Sequence, residues 1–132
     1  MGDSPEAVVR RFLGQWADPQ AERFAQMFAE DAVWVDGPNG VYRGAAAVVE
    51  ELTQQLSMFP GGWMEIDALV ADGGTVMVEW HGGFPARGTT VDTKVMARFE
   101  INANGQIAQM RESFDMKSLV DQLAAAGVQL PG

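Results

Sequence analysis

Apolar residues recur at helical spacing near the start of the chain, where Val8, Val9, Phe12, Leu13 and Trp16 share one side. Ser4 and Pro5 stand before them as N-cap and first helical position. An amphipathic first helix is predicted. Asp18 and Pro19 repeat the start signal, and a short second helix should carry Phe24, Met27 and Phe28 on its apolar side. Residues 32–36 read as the first strand, broken by the turn Gly37-Pro38-Asn39-Gly40. Residues 42–44 then lead into a third helix with the stripe Val48, Val49, Leu52 and Leu56, which ends at Pro60, Gly61 and Gly62.

From residue 63 the period shifts from that of a helix towards two. Strands are predicted over 63–71, 75–82, 89–101 and 106–115. Asp72-Gly73-Gly74 makes a tight turn, 83–88 with Pro85 a longer one, and 102–105 a hairpin turn. A last helix over 116–126 ends at Gly127 and is placed to close the mouth of a pocket. The order predicts an α+β fold: a cone-shaped, strongly bent antiparallel sheet wrapped around three N-terminal helices, with a pocket between them.

The chain has 132 residues and 14.3 kDa, which fits one domain over 1–132 with one core and a pocket. Eighteen acidic against nine basic residues give a net charge of -9, with no basic cluster, which argues against a nucleic-acid partner. The chain has no cysteine, which removes disulfides, thiolate nucleophiles and zinc-thiolate sites. It has one histidine and no spaced His-Glu motif, so no metal is expected. No apolar run approaches a membrane span, and the opening MGDSPEAV lacks a basic-then-apolar leader pattern. A cytoplasmic protein away from membranes is the expectation.

Strand parity selects the candidate site, because side chains two apart share a face. Trp34 goes with Asp36, Trp80 with Gly82, Val95 with Ala97 and Phe99, and Met110 with Glu112 and Phe114. Asp36 ends an apolar strand at the Gly-Pro turn. It is either a turn residue or a general base whose pKa partial burial raises. Glu112 is the odd member of an apolar stripe and needs either a cation such as Arg98 or a raised pKa. Glu65 and Asp67 share a face, which is either an exposed charged surface or part of the site. His81 falls opposite Trp80, on the convex face. Trp16, Trp34, Trp63 and Trp80 at a cone mouth would suit a flat, apolar ligand.

The order of elements, with FAEDAVWVDGPNG at 28–40 and YRG at 42–44, resembles the nuclear transport factor two-like superfamily. Its enzymes include ketosteroid isomerases, polyketide cyclases and limonene epoxide hydrolases. The resemblance spans nearly the whole chain and implies the cone fold. It also implies a cofactor-independent mechanism and a homodimer through the convex sheet face. Asp36 matches the isomerase general base. Phe12 and Ala97 stand where isomerases carry their tyrosine and protonated aspartic acid, so both oxyanion donors are missing.

The end of the chain, QMRESFDMKSLVDQL, is similar to limonene epoxide hydrolase. Glu112 falls at its water-activating aspartate, Trp34 and Asp36 at its tyrosine and asparagine, and Trp80 and Gly82 at its arginine and second aspartate. Polyether epoxide hydrolases that close ether rings pair a base at the Asp36 position with an acid that matches Glu65.

These readings converge on an acid/base enzyme for an apolar small molecule. Asp36 would be the base, with Glu112 or Glu65 as the partner acid. Phe12, Trp16, Trp34, Trp63, Trp80, Val95, Ala97, Phe99, Met110 and Phe114 would line the substrate pocket. The reaction would be isomerisation or cyclisation of a polyketide-, steroid- or terpenoid-like substrate. The alternatives are opening of an epoxide, or ligand binding or dimerisation without chemistry.

Overall fold

The computed structural model describes residues 3–128. Helix α1 spans Pro5–Leu13, and its N-cap Ser4 accepts a hydrogen bond from the Ala7 amide at 3.2 Å. Its buried face is Val8, Val9, Phe12 and Leu13, the face the spacing predicts. Helix α2 is shorter than its pattern, Ala21–Ala25. Met27 and Phe28 lie outside it, because Phe28 already pairs with Ile107 as the first residue of strand β1, Phe28–Asp36. β1 therefore starts four residues before the predicted strand: pairing across the sheet overrides a local helical pattern.

Strand β2, Val41–Arg43, is a second departure. It folds back on β1 with Trp34 opposite Tyr42, where the sequence suggested only a lead-in to a helix. Helix α3, Ala45–Met58, buries Val48, Val49 and Leu52.

Strands β3 (Trp63–Asp72), β4 (Thr75–Ala86), β5 (Thr89–Ile101) and β6 (Ile107–Phe114) form the predicted meander. β4 runs through the segment read as a long turn. A Cβ on Gly82 would stand 2.2 Å from the Trp63 carbonyl oxygen, so this glycine allows close strand approach. The actual turn is only Arg87 and Gly88, both with positive φ (48° and 82°), as a two-residue hairpin requires. Asp115 caps α4, Met116–Ala125, by accepting from the Ser118 amide at 3.0 Å.

The six strands form one strongly curved, open sheet in the order β2-β1-β6-β5-β4-β3. All pairs are antiparallel except β1 with β6. Phe12 centres the core, edge-on to Trp16, Phe24, Phe28 and Phe99 at 5.5–5.8 Å. A smaller cluster of Ala86, Val91 and Leu123 fastens α4 over one end. Among the described residues no helix is long and apolar enough to cross a membrane.

Candidate active site

The parallel pairing of β1 and β6 decides the site. It sets Asp36 opposite Glu112, although 75 residues lie between them in the chain. Both point into a cavity of about 600 Å³ between the sheet and helices α3 and α4. Asp36 is 3% exposed and Glu112 7%, and they are the only buried polar or charged residues among those described.

Each carboxyl has one oxygen held. Asp36 Oδ2 accepts from Gln55 Nε2 at 2.9 Å and from Asn39 Nδ2 at 3.2 Å. Glu112 Oε1 accepts from Trp34 Nε1 at 2.6 Å. No hydrogen bond to Asp36 Oδ1 or Glu112 Oε2 is made among the described residues. Neither atom belongs to the fully buried unpartnered set, which is Gln15 Oε1, Thr53 Oγ1 and Arg98 Nε. The free oxygens are therefore accessible from the cavity.

Burial pushes Glu112 up to about 8; the Asp36 charge adds to the rise and the Trp34 hydrogen bond opposes it. Burial also raises Asp36 above its ordinary 3.8, opposed by the Gln55 and Asn39 hydrogen bonds and aided by the nearby Glu51 charge. Burial thus favours the neutral form of both carboxyls, and of Glu112 the more strongly.

Of the predicted pocket residues, Trp16, Trp34, Trp63, Trp80, Val95 and Phe114 line the cavity. Trp63 is 45% exposed, at the mouth. Phe12, Ala97, Phe99 and Met110 do not line it. They are fully packed in the core behind it, because shared parity places a side chain on the inner face without bringing it to the void.

Glu65 is also a correction. It lies on the outer face with a 71% exposed side chain, its Oε2 3.6 Å from His81 Nε2, while Asp67 Oδ1 meets His81 Nδ1 at 2.8 Å. His81 is on that face as parity predicts. Arg98 does not pair with Glu112. Its guanidinium is 3.6 Å from Glu100 and donates to Gln109 at 3.0 Å.

The sequence reading missed Asn39 and Gln55, which hold Asp36, and the apolar wall of Leu52, Leu56, Phe59 and Phe84. Gln55 carried one signal: it sits between Leu52 and Leu56 on the inner stripe of α3. From α4, Ser118, Leu119 and Gln122 reach the cavity mouth. Gln122 clamps the helix to β5, accepting from the Asp92 amide at 2.8 Å and donating to its carbonyl at 2.9 Å.

The family described as SnoaL-like domain matches residues 9–110. The chain belongs to the SnoaL-like domain family, within the nuclear transport factor two-like superfamily. Many solved structures share the fold of this SnoaL-like chain, two enzymes among them. One is the epoxide hydrolase/cyclase-like enzyme SalBIII of pyran ring formation in the polyether salinomycin. It is 21% identical with a TM-score of 0.75, over 86% of this chain and 92% of that one. The other is an LEH-like epoxide hydrolase of M. tuberculosis, 20% identical with a TM-score of 0.78, over 92% of this chain and 90% of that one. In sequence, the chain is 32% identical over 74 residues to the ECF RNA polymerase sigma factor SigG of Mycobacterium tuberculosis. That match covers 54% of this chain and 20% of the sigma factor, so the chain spans about a fifth of the curated relatives it matches.

Proposed function

We propose that this SnoaL-like protein is a cofactor-independent acid/base enzyme acting on a neutral, apolar small molecule. The carrying observation is the register-paired couple of Asp36 and Glu112, the only buried charged residues described, with Glu112 pushed up to about 8. Asp36 Oδ1 is the base and Glu112 Oε2 the acid. Trp34 donates to Oε1, so the proton of neutral Glu112 sits on Oε2 and faces the cavity.

In an isomerisation or cyclisation, Asp36 removes a proton from a carbon next to a carbonyl. The C–H electron pair becomes the new C=C bond, and the carbonyl electrons move onto oxygen, where Glu112 donates. Glu112 pairs in register with Ala97, so a protonated carboxyl stands beside the position where the resemblance expects the isomerase's acidic donor.

Epoxide opening is a second reading of the same pair. Asp36 would take the proton of an attacking hydroxyl or water, while Glu112 protonates the departing epoxide oxygen as the C–O bond breaks. The named activities of SalBIII and the LEH-like hydrolase, on the shared fold, favour it. A third reading, a ligand-binding module without chemistry, is favoured by the match to part of a sigma factor.

The test is exchange of α-deuterium from an apolar cyclic ketone, 2-tetralone, followed by NMR, alongside turnover of limonene oxide. Wild type should act on at least one. Asp36→Asn, which keeps the shape but cannot take a proton, should lower that rate about 10²- to 10⁴-fold. Full activity in Asp36→Asn would remove Asp36 as the base. Binding of either compound with no exchange and no opening would establish the module.

A further inference from the structure

The base does not stand alone on its strand. Gln55, on α3, donates from one nitrogen both to Asp36 Oδ2 at 2.9 Å and to Glu51 Oε2 at 3.1 Å. Both partners are carboxylate oxygens, which only accept, so the amide can face them only with its NH₂ group. Glu51 and Gln55 are one helical turn apart, and that spacing holds the amide from behind. Asn39, from the turn after β1, donates to the same Oδ2 at 3.2 Å.

We infer that Gln55, oriented by Glu51, is a positioning residue that fixes Asp36 through Oδ2 and leaves Oδ1 as the atom that exchanges protons. The inference rests on the reading of Asp36 as the base, and it adds a control point on a different element. Two opposed influences reach Asp36 from one helix. The Gln55 hydrogen bond stabilises the carboxylate, and the Glu51 charge destabilises it. The Gln55 amide lies between the two carboxylates and donates to both. Glu51 thereby keeps the base more basic without touching it, while Gln55 stops the carboxylate from rotating. The other titratable groups near Asp36 are Glu112 on β6 and Tyr42 on β2, whose pKa is raised by burial, then by Glu51 and Asp36. Asp92 and Lys94 on β5 and Asp115 before α4 line the same cavity. Among the described residues none of these is hydrogen-bonded to Glu51.

A carboxyl ¹³C NMR titration of the whole protein tests this without a known substrate, with the Asp36 signal assigned by its loss in Asp36→Asn. Gln55→Met removes the donor but keeps the bulk and helix propensity, and the Asp36 midpoint should move to higher pH. Glu51→Gln removes the charge but keeps an acceptor for the Gln55 amide, and the midpoint should move to lower pH. A merely structural role for this part of α3 would not yield opposite shifts. In the deuterium-exchange assay the low-pH limb should follow the same two directions, and Gln55→Met should lose roughly tenfold or more in kcat as the carboxylate loses its orientation. Midpoints unmoved in both variants, or moved the same way in both, would overturn the inference. Failure of the base reading is distinct: Asp36→Asn would keep its exchange activity while the two midpoints still shifted apart.

Discussion

Trp34 Nε1 donates to Glu112 Oε1 at 2.6 Å, reaching diagonally from β1 to β6 across the one parallel pair in the sheet. An indole N–H is a donor only, so it tolerates either protonation state of the carboxyl but favours the ionised one. The bond restrains a group that burial and the neighbouring Asp36 drive strongly towards neutrality. It also selects which oxygen keeps the proton.

Trp34→Phe removes this restraint. The Glu112 pKa should rise above about 8, and the high-pH limit of activity should move up with it. Stability should fall by about 1–3 kcal/mol, the usual cost of leaving a buried acceptor without its donor. Activity profiles and urea midpoints on the variant check both. An unmoved high-pH limit would show that Glu112 does not set it.

The wild-type rate should be bell-shaped in pH. Activity needs Asp36 ionised, so it is lost as pH falls towards the raised Asp36 pKa, above 3.8. It needs Glu112 protonated, so it is lost as pH rises through about 8. Glu112→Gln carries no ionisable proton and should abolish the high-pH limb while lowering the plateau. A variant that kept the wild-type fall near pH 8 would assign that limb to another group.

Stability should show the same carboxyl from another side. Unfolded Glu112 releases its proton near its ordinary 4.5, whereas native Glu112 holds it to about 8. Between these values the native state binds more protons than the unfolded state, so stability falls as pH rises and levels off above about 8. Raised Asp36 acts with the same sign, starting from 3.8. Urea midpoints of wild type should therefore decline from about pH 4.5 to 8. Glu112→Gln should remove most of the slope.

The helices and the meander were legible because their signals are local. Ser4-Pro5, the stripe on α3 and the period-two strands each act over a few residues. Trp34 with Asp36, and Glu112 with Phe114, were legible as same-face pairs for the same reason. That β1 lies beside β6 is not local: β1 and β6 are joined only through the intervening strands and helix, and no periodicity reports it. So the sequence named both carboxylates, yet left Glu65 as a rival partner to Glu112. The supporting Asn39 and Gln55 carry no charge and titrate nowhere, which left them invisible to a search for unusual acids. Gly83 misled in the opposite direction. With Pro85 it read as the start of a turn, but it lies within β4, where a Cβ would stand 2.7 Å from the Val91 carbonyl oxygen of β5.

Two glycines close to the start of β3, Gly82 and Gly62, should respond to alanine differently. Gly82 pairs with Met64 in the β3–β4 ladder. A Cβ there would stand 2.2 Å from the Trp63 carbonyl oxygen and 3.0 Å from Met64 Cα. Both atoms are backbone and cannot swing aside, so β3 must move. Gly82→Ala should cost about 1–3 kcal/mol or more, as overpacking does. It should also displace Trp63 at the mouth. Gly62 lies just before β3, outside the left-handed region. Its Cβ would make only ordinary contacts, 3.7 Å to the Gly83 carbonyl oxygen and 3.8 Å to the Phe59 carbonyl oxygen. Gly62→Ala should be neutral or stabilise by about 0.4–1 kcal/mol, because the unfolded chain loses freedom and the folded one gains no strain. Thermal or urea unfolding of the two variants side by side decides it. Equal losses in both would mean that the close approach of β3 and β4 at Gly82 is not what requires glycine there.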